Sequence, residues 1–167
     1  MSDVILQPGD HLLYGPKGLA GWVISLKTWS DVAHCEFYLG DMGNRQQMSL
    51  ASRDGLGVNA YPLRTATLAY ILRPKQKLNL VKGIKWFLTR AQGQQYDWWG
   101  LLRFAWRSRV VPEARDNRMF CSEFLTRFDR ACDFDPFNGY DADAIAPSEF
   151  LKSNSFDIVW RASEHKA

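Results

Sequence analysis

Two extended segments joined by a short loop restrict the fold of this chain more than any other part of its sequence. Residues His34–Leu39 read HCEFYL and end at a Gly-Asp pair, and Gln46–Ser52 follow as a return strand. The loop between them, Asp41–Asn44, contains a glycine of the kind that hairpin turns use. Because so short a connection joins antiparallel neighbours, the sequence predicts a hairpin within an antiparallel sheet.

The other predicted elements complete an α+β domain. The pattern predicts strands at residues 9–14, Leu68–Leu72 and Phe156–Trp160, helices at Leu19–Trp29, Leu80–Ala91 and Phe120–Ala131, and a short helix beginning at Pro147. This order is typical of an α+β fold with a mainly antiparallel sheet. The sequence contains no internal repeat and no linker, so we expect a single domain over residues 1–167, with its core at about 8–162.

The composition argues against several classes of protein. The 167 residues include 21 basic and 18 acidic side chains, and a net charge of +3 without a basic stripe does not favour binding to nucleic acid. No apolar run reaches the ~18 residues of a transmembrane helix, and the N-terminus lacks the basic start of a signal peptide. Three cysteines are too few for a disulfide framework and indicate a reducing compartment, so we expect a cytoplasmic location.

A cysteine and a histidine stand where nucleophilic catalysis could use them. Cys121 begins a helix, where the positive end of the helix dipole favours the thiolate, which is the nucleophilic form. His34 begins a strand and could accept the thiol proton and return it to a leaving group. Taken alone, each residue fits a structural role better. Cys35 points to the opposite face of its strand and is a poorer nucleophile candidate, and Cys132 follows the helix and is expected to be structural.

Taken together, five motifs resemble the circularly permuted NlpC-like papain-fold proteins, which include the lecithin:retinol acyltransferase-like proteins. The matching segments, in chain order, are Gly9-Asp10 before an apolar strand, HCEFYLGD at 34–41, GQQYD at 93–97, FCSEFL at 120–125 and APSEFL at 146–151. HCEFYLGD is similar to the family's histidine strand, and FCSEFL is similar to its cysteine helix. Histidine precedes cysteine here, which is the permuted order, and a triad depends on geometry rather than on chain order.

The resemblance implies a papain-like fold in permuted NlpC-like topology, with a small antiparallel barrel-like sheet packed against the cysteine helix. It implies Cys121 as nucleophile, His34 as base, and Tyr96 as a stabiliser of the oxyanion. Family members place a histidine, a glutamate or another polar group on the next strand to orient the catalytic histidine, and Gln46–Ser52 contains neither histidine nor glutamate. A hairpin centred near Gly43 would place Ser52 opposite His34, so we predict Ser52 as the orienting residue. Ser49 is the reserve.

The implied activity is acyl transfer through a thioester acyl-enzyme, without a metal or another cofactor. The resemblance allows two substrate classes, the amide bonds of cell-wall (peptidoglycan) peptides and lipid esters or amides, and we favour the peptides. Such an enzyme would be bacterial or phage-associated. A non-enzymatic binding module that keeps the fold is the alternative outside enzymology. Aromatic and arginine side chains alternate over Trp98–Arg109, which fits either peripheral contact with a membrane or a core helix with a basic edge.

Overall fold

The computed structural model describes residues 4–17, 25, 29–41, 43, 46–98, 100 and 117–162. In these residues six strands form one antiparallel sheet with the spatial order β4-β3-β2-β1-β5-β6. The strands are β1 (His11–Tyr14), β2 (His34–Asp41), β3 (Gln47–Arg53), β4 (Gly57–Pro62), β5 (Leu68–Pro74) and β6 (Phe156–Arg161). The predicted α+β class with a mainly antiparallel sheet is confirmed.

The central hairpin of β2 and β3 contains a bulge that changes its register. Phe37 lies opposite Leu50, but nearer the turn Gly40 lies opposite Met48, so Leu39 is an extra residue in β2. The two halves of the hairpin therefore differ in register by one residue. Such a shift decides which face of the sheet a side chain occupies, and it determines which residues of β3 lie beside His34.

Two α-helices are described over their full length, α1 (Leu80–Trp86) and α2 (Cys121–Ala131). The sequence predicted one helix over Leu80–Ala91, and the last five of these residues, Phe87–Ala91, form a π-helical turn instead. The predicted helix at Pro147 is a 3-10 helix that ends at Lys152. None of the helices in the described ranges is both long and apolar enough to cross a bilayer.

Two predicted segments fall largely outside the described residues. The predicted helix Leu19–Trp29 is described only at Ser25 and Trp29. The aromatic and arginine-rich stretch Trp98–Arg109 is described only at Trp98 and Gly100.

The main core lies between α2 and one face of the sheet. Phe124, Leu125 and Phe128 recur at helical spacing along α2 and are fully buried against Phe37 and Leu50 of the central hairpin. The rings of Phe37 and Phe128 are 4.6 Å apart. This packing fixes the start of α2, and therefore Cys121, against the sheet.

A buried polar pair also joins α2 to the sheet. The Nε2 atom of His11 on β1 lies 2.9 Å from both carboxylate oxygens of Asp129 on α2, and its Nδ1 atom lies 3.0 Å from the Gly9 carbonyl. Both side chains are wholly buried. Burial raises the pKa of Asp129, and the neighbouring His11 opposes that rise. The hydrogen bond between the ring and the carboxylate satisfies both polar groups inside the core.

Helix α1 approaches the C-terminal end of α2 at Gly83. A Cβ atom at this position would lie 2.2 Å from the Cys132 sulfur and 3.1 Å from the Phe128 ring. Gly83 has ordinary helical backbone angles, so lack of space, rather than conformation, requires glycine there. Burial raises the pKa of Cys132 to about 12, which agrees with the predicted structural role of this thiol.

We expect Gly83→Ala to lower the free energy of unfolding. Overpacking costs about 1–3 kcal/mol, against a gain of about 1 kcal/mol from replacing a helical glycine with alanine, so we expect a net loss of about 1 kcal/mol. Urea unfolding measures it. Val81→Ala, on the exposed side of the same helix, is the control. Adding Cys132→Ala should recover part of the loss, and two independent, additive effects would contradict the contact.

Candidate functional site

Cys121 is the first residue of α2, and Phe120 precedes it as an N-cap in extended conformation. The N–H groups of a first helical turn have no partners within the helix, and their partial positive charge favours an anion. The Cys121 side chain is buried at the sheet-facing start of α2. The sequence prediction that this cysteine begins the helix is confirmed.

His34, the first residue of β2, lies within hydrogen-bonding reach of the Cys121 thiol. The Nε2 atom of His34 is hydrogen-bonded to Glu36 Oε1 at 3.0 Å, so Nδ1 is the ring nitrogen that remains for the Cys121 sulfur. Burial lowers the pKa of His34, but the negative charge of Cys121 and hydrogen bonds to Cys121 and Glu36 outweigh it, so the net shift is upward. The structure thus brings together the two residues that the sequence singled out, and the electrostatics favour a thiolate beside an imidazolium.

Glu36 orients His34, and the sequence pattern did not predict this role. The Glu36 carboxylate is wholly buried. It also accepts hydrogen bonds or ion pairs from Ser49 Oγ (2.6 Å), Arg53 Nε and Nη2 (2.9 and 3.0 Å), Arg64 Nη2 (3.2 Å) and Tyr14 Oη (3.4 Å). Burial alone would raise the pKa of Glu36, yet its hydrogen bond with His34, the charge of His34 and the other donors hold it well below its usual value. A charged carboxylate therefore lies behind the imidazole.

The prediction that Ser52 orients His34 is corrected by the register of the hairpin. Continuing the pairing of Phe37 with Leu50 places Ser52 opposite Cys35 and on the face away from His34. The Ser52 hydroxyl instead donates to the Met119 carbonyl at 2.5 Å and so holds the segment that leads into α2. Ser49, the reserve, lies on the His34 face but reaches Glu36 rather than the ring.

The segment before Cys121 is paired with the segment that carries Tyr96. The Met119 N–H donates to the Gln95 carbonyl at 3.1 Å, and the Asp97 N–H donates to the Met119 carbonyl at 3.4 Å. This pairing sets Tyr96 beside the cysteine. The Asp97 carboxylate accepts from the backbone N–H of Gly100 at 2.8 Å, so it also holds the turn after Tyr96.

Tyr96 lies close enough to Cys121 for the two groups to interact electrostatically. Burial, followed by the negative charge of Cys121, raises the pKa of the Tyr96 phenol far above its usual value. The hydroxyl therefore stays protonated and can donate. The Tyr96 ring meets the ring of Trp98 edge to face, with centroids 5.4 Å apart. The role of Tyr96 in stabilising an oxyanion stays a prediction.

Cys35 is a second thiol at the site. Its side chain and its backbone N–H both hydrogen-bond to the Cys121 sulfur. The hydrogen bond from the Cys35 thiol, with the charge of His34, holds the pKa of Cys121 well below its usual value despite burial. Burial and the same hydrogen bond raise the pKa of Cys35. Strand alternation in the sequence predicted that Cys35 lies on the face opposite His34. It did not indicate that the start of α2 packs on this face.

The remaining polar residues of the FCSEFL motif stabilise the start of the helix. The Ser122 hydroxyl donates to the Ile145 carbonyl at 2.7 Å. The buried Glu123 carboxylate accepts from the backbone N–H of Phe120, as in a capping box, and pairs with Arg127 at 2.9 Å. The structural roles predicted for Ser122 and Glu123 are confirmed.

Comparison with known proteins yields a distant structural neighbour. No protein-family model and no curated protein matches the sequence. A crystal structure described as metalloprotein yiiX from Escherichia coli O157:H7, DUF1105, is 17% identical and superposes with a TM-score of 0.65. The match covers 93% of this chain and 97% of that one. At this level of identity the likeness concerns the fold alone.

The description as a metalloprotein applies to that neighbour. Among the residues that the structure of the present chain describes, no group of three or more His, Cys, Asp or Glu side chains is placed to hold a metal ion. The cluster of His34, Glu36 and Cys121 is instead consumed in mutual hydrogen bonds and in pairing with arginine. In the described part of the chain, these side chains therefore do not form a metal centre.

We expect Glu36→Gln to raise the apparent pKa of Cys121 by about 1 unit, since an adjacent opposite charge typically shifts a pKa by 1–3 units. Without the carboxylate, the His34 imidazolium is less stable, and so is the thiolate beside it. The measurement is the alkylation rate of Cys121 against pH, read by peptide mass spectrometry. Ser52→Ala should leave this profile in place, as should the exposed control Glu149→Gln. A shift with Ser52→Ala alone would return the orienting role to Ser52.

We expect Glu123 to make the fold less stable as pH rises. Burial, opposed by Arg127, raises the pKa of Glu123 from 4.5 to about 7. The folded state then holds the proton more tightly than the unfolded chain, so unfolding free energy falls by up to about 3 kcal/mol between these two pH values. Urea unfolding across this range should show a shallower decline for Glu123→Gln. An unchanged slope would contradict the assignment.

Proposed function

We propose that the chain is a cysteine-dependent acyl-transfer hydrolase, with Cys121 as nucleophile, His34 as general base and acid, and Glu36 as the positioning residue. One observation carries the proposal. A buried thiol at a helix N-terminus meets a histidine whose other ring nitrogen is bound to a buried carboxylate. This is the nucleophile, base and orienting-group arrangement of covalent catalysis.

The geometry supports a two-step reaction. The Cys121 thiolate attacks an acyl carbonyl carbon, and a tetrahedral oxyanion forms, for which the Cys121 backbone N–H and the Tyr96 hydroxyl are the candidate donors. Collapse breaks the bond to the leaving group, which takes its proton from the His34 imidazolium. His34 then removes a proton from water, and the resulting hydroxide attacks the thioester. Collapse of this second intermediate breaks the C–S bond, releases the carboxylic acid and leaves the Cys121 thiolate beside the His34 imidazolium, as at the start.

We further infer a permuted papain-like topology for the domain. The histidine strand precedes the cysteine helix by 87 residues (121 − 34), and the sheet face that bears Cys35 packs on that helix. Both features agree with the family resemblance of the HCEFYLGD and FCSEFL segments. The barrel-like form of the sheet belongs to the same proposal.

Amide bonds of cell-wall peptides are the substrate class we propose. An amine is a poor leaving group unless it is protonated as it departs, so amide cleavage needs a general acid that is protonated at the pH of the reaction. The upward-shifted pKa of His34 supports this role because the ring is held as imidazolium beside the thiolate. Lipid esters are the second candidate, favoured by the exposed Trp98 ring next to Tyr96.

The proposal is tested with an activated acyl ester and then with two substrate panels. p-Nitrophenyl acetate should give a burst of nitrophenol and an acetylated Cys121 that intact mass spectrometry detects. His34→Ala should lower the rate by about 10²–10⁴-fold, and Cys121→Ala should abolish the burst. Cys132→Ala is the matched control, because that thiol is buried under Gly83.

Release of amines from peptidoglycan fragments, and not of fatty acids from phospholipid vesicles, would identify the peptide class. Fatty-acid release alone would favour the lipid class. Absence of acylation with every substrate, in protein that unfolds cooperatively, would overturn the hydrolase proposal in favour of a binding module.

A further inference from the structure

We propose that Cys35 is a resolving cysteine, which captures an oxidised Cys121 as a Cys35–Cys121 disulfide and so makes the site reversibly sensitive to hydroperoxides. This inference rests on the thiol pair itself and does not require the acyl-transfer activity. It concerns a modification of Cys121 that acyl transfer does not use.

The fold places the Cys35 and Cys121 side chains in the same buried cluster, where the start of α2 packs on β2. Cys35 is the second residue of β2 and points to the side of the sheet that α2 covers, and Cys121 is the first residue of α2. Both side chains belong to the same buried cluster, and their thiols are hydrogen-bonded to each other. A disulfide needs neighbouring side chains that point at one another. Continuing the β2–β3 register places Ser52 opposite Cys35, and the hydrogen bond of Ser52 to the carbonyl of Met119, two residues before Cys121, holds the two cysteines on the same side of the sheet.

The two thiols differ in the way a nucleophilic and a resolving cysteine differ. Cys121 is stabilised as thiolate by the Cys35 thiol, His34 and the helix N-terminus. Cys35 is the hydrogen-bond donor and keeps its proton. Oxidants react with thiolates, so Cys121 is the first target, and the resolving thiol beside it is already within reach.

The chemistry balances with a hydroperoxide as the oxidant. The Cys121 thiolate attacks the terminal oxygen of hydrogen peroxide, the O–O bond breaks, and, after one proton is taken up, sulfenic acid and water result. The Cys35 sulfur then attacks the sulfenic sulfur, its proton leaves with the hydroxyl as water, and the S–S bond forms. A dithiol reverses the bond with two electrons and two protons and restores both thiols.

A resolving thiol beside Cys121 protects it from irreversible oxidation. Sulfenic acid that is not captured is oxidised further to sulfinic acid, which thiols cannot reduce. Cys35 and Cys121 are themselves buried, and the side chain of their neighbour His34 is 16% exposed, so solvent approaches the pair beside His34. Cys132 cannot take the resolving part, because it caps the opposite end of α2 and lies under Gly83.

The experiment exposes purified protein to hydrogen peroxide and reads each cysteine by peptide mass spectrometry, before and after dithiothreitol. In wild type we expect a linked Cys35–Cys121 peptide and recovery of the Cys121 thiol on reduction. In Cys35→Ser we expect a sulfenic acid that dimedone traps, then sulfinic acid, and loss of that recovery. Cys35→Ala serves as a second variant if the serine hydroxyl disturbs the core, and Cys132→Ser should behave as wild type.

Two results would overturn the inference. One is sulfinic acid at Cys121 in wild type with no linked peptide. The other is equal recovery of the Cys121 thiol with and without Cys35, in variants that retain the wild-type unfolding midpoint. Failure of the hydrolase proposal has a different signature, since an inactive protein would still form the linked peptide.

Discussion

The buried carboxylate of Glu36 is the group on which the candidate site depends. A wholly buried charge is tolerated only where its partners replace the water it has lost, and here two guanidinium groups, a serine, a tyrosine and His34 do so. Once this charge is fixed, it holds the imidazole ring of His34 by Nε2. The ring in turn presents its other nitrogen to Cys121, so the protonation of the thiol follows from a carboxylate that it does not touch.

Hydrogen bonds also fix the backbone that leads to Cys121. The Met119 carbonyl accepts hydrogen bonds from the Ser52 hydroxyl on β3 and from the backbone N–H of Asp97. The segment that leads into α2 is therefore bound both to the sheet and to the loop that carries Tyr96. Beyond this segment, apolar packing and the His11 pair hold the body of the helix. Ser52, which the sequence pattern assigned to His34, therefore helps to position Cys121 through the Met119 backbone.

Most of the fold could be predicted because its signals are local. The length of the hairpin loop and the spacing along α2 gave the strands and helix nearly at their observed bounds. The partner of His34 could not be read from the next strand because one bulged residue, Leu39, shifts the register and exchanges the faces of β3. A usable signal was nevertheless present in β2 itself, since residues two apart in a strand share a face and Glu36 is two beyond His34. The contact of Cys35 with Cys121 joins a strand to a helix far along the chain, and no spacing rule reports such a contact.

The pair of His11 and Asp129 also bears on how the protein assembles as it is synthesised. Five of the six strands in the described sheet precede α2 in the chain, whereas the two partners of this pair lie 118 residues apart. During synthesis, the apolar face of the sheet that α2 covers in the folded protein is therefore exposed until α2 has been made. Only when α2 docks do the imidazole and the thiol meet. The environment that favours the Cys121 thiolate is thus complete only when α2 has docked on the sheet.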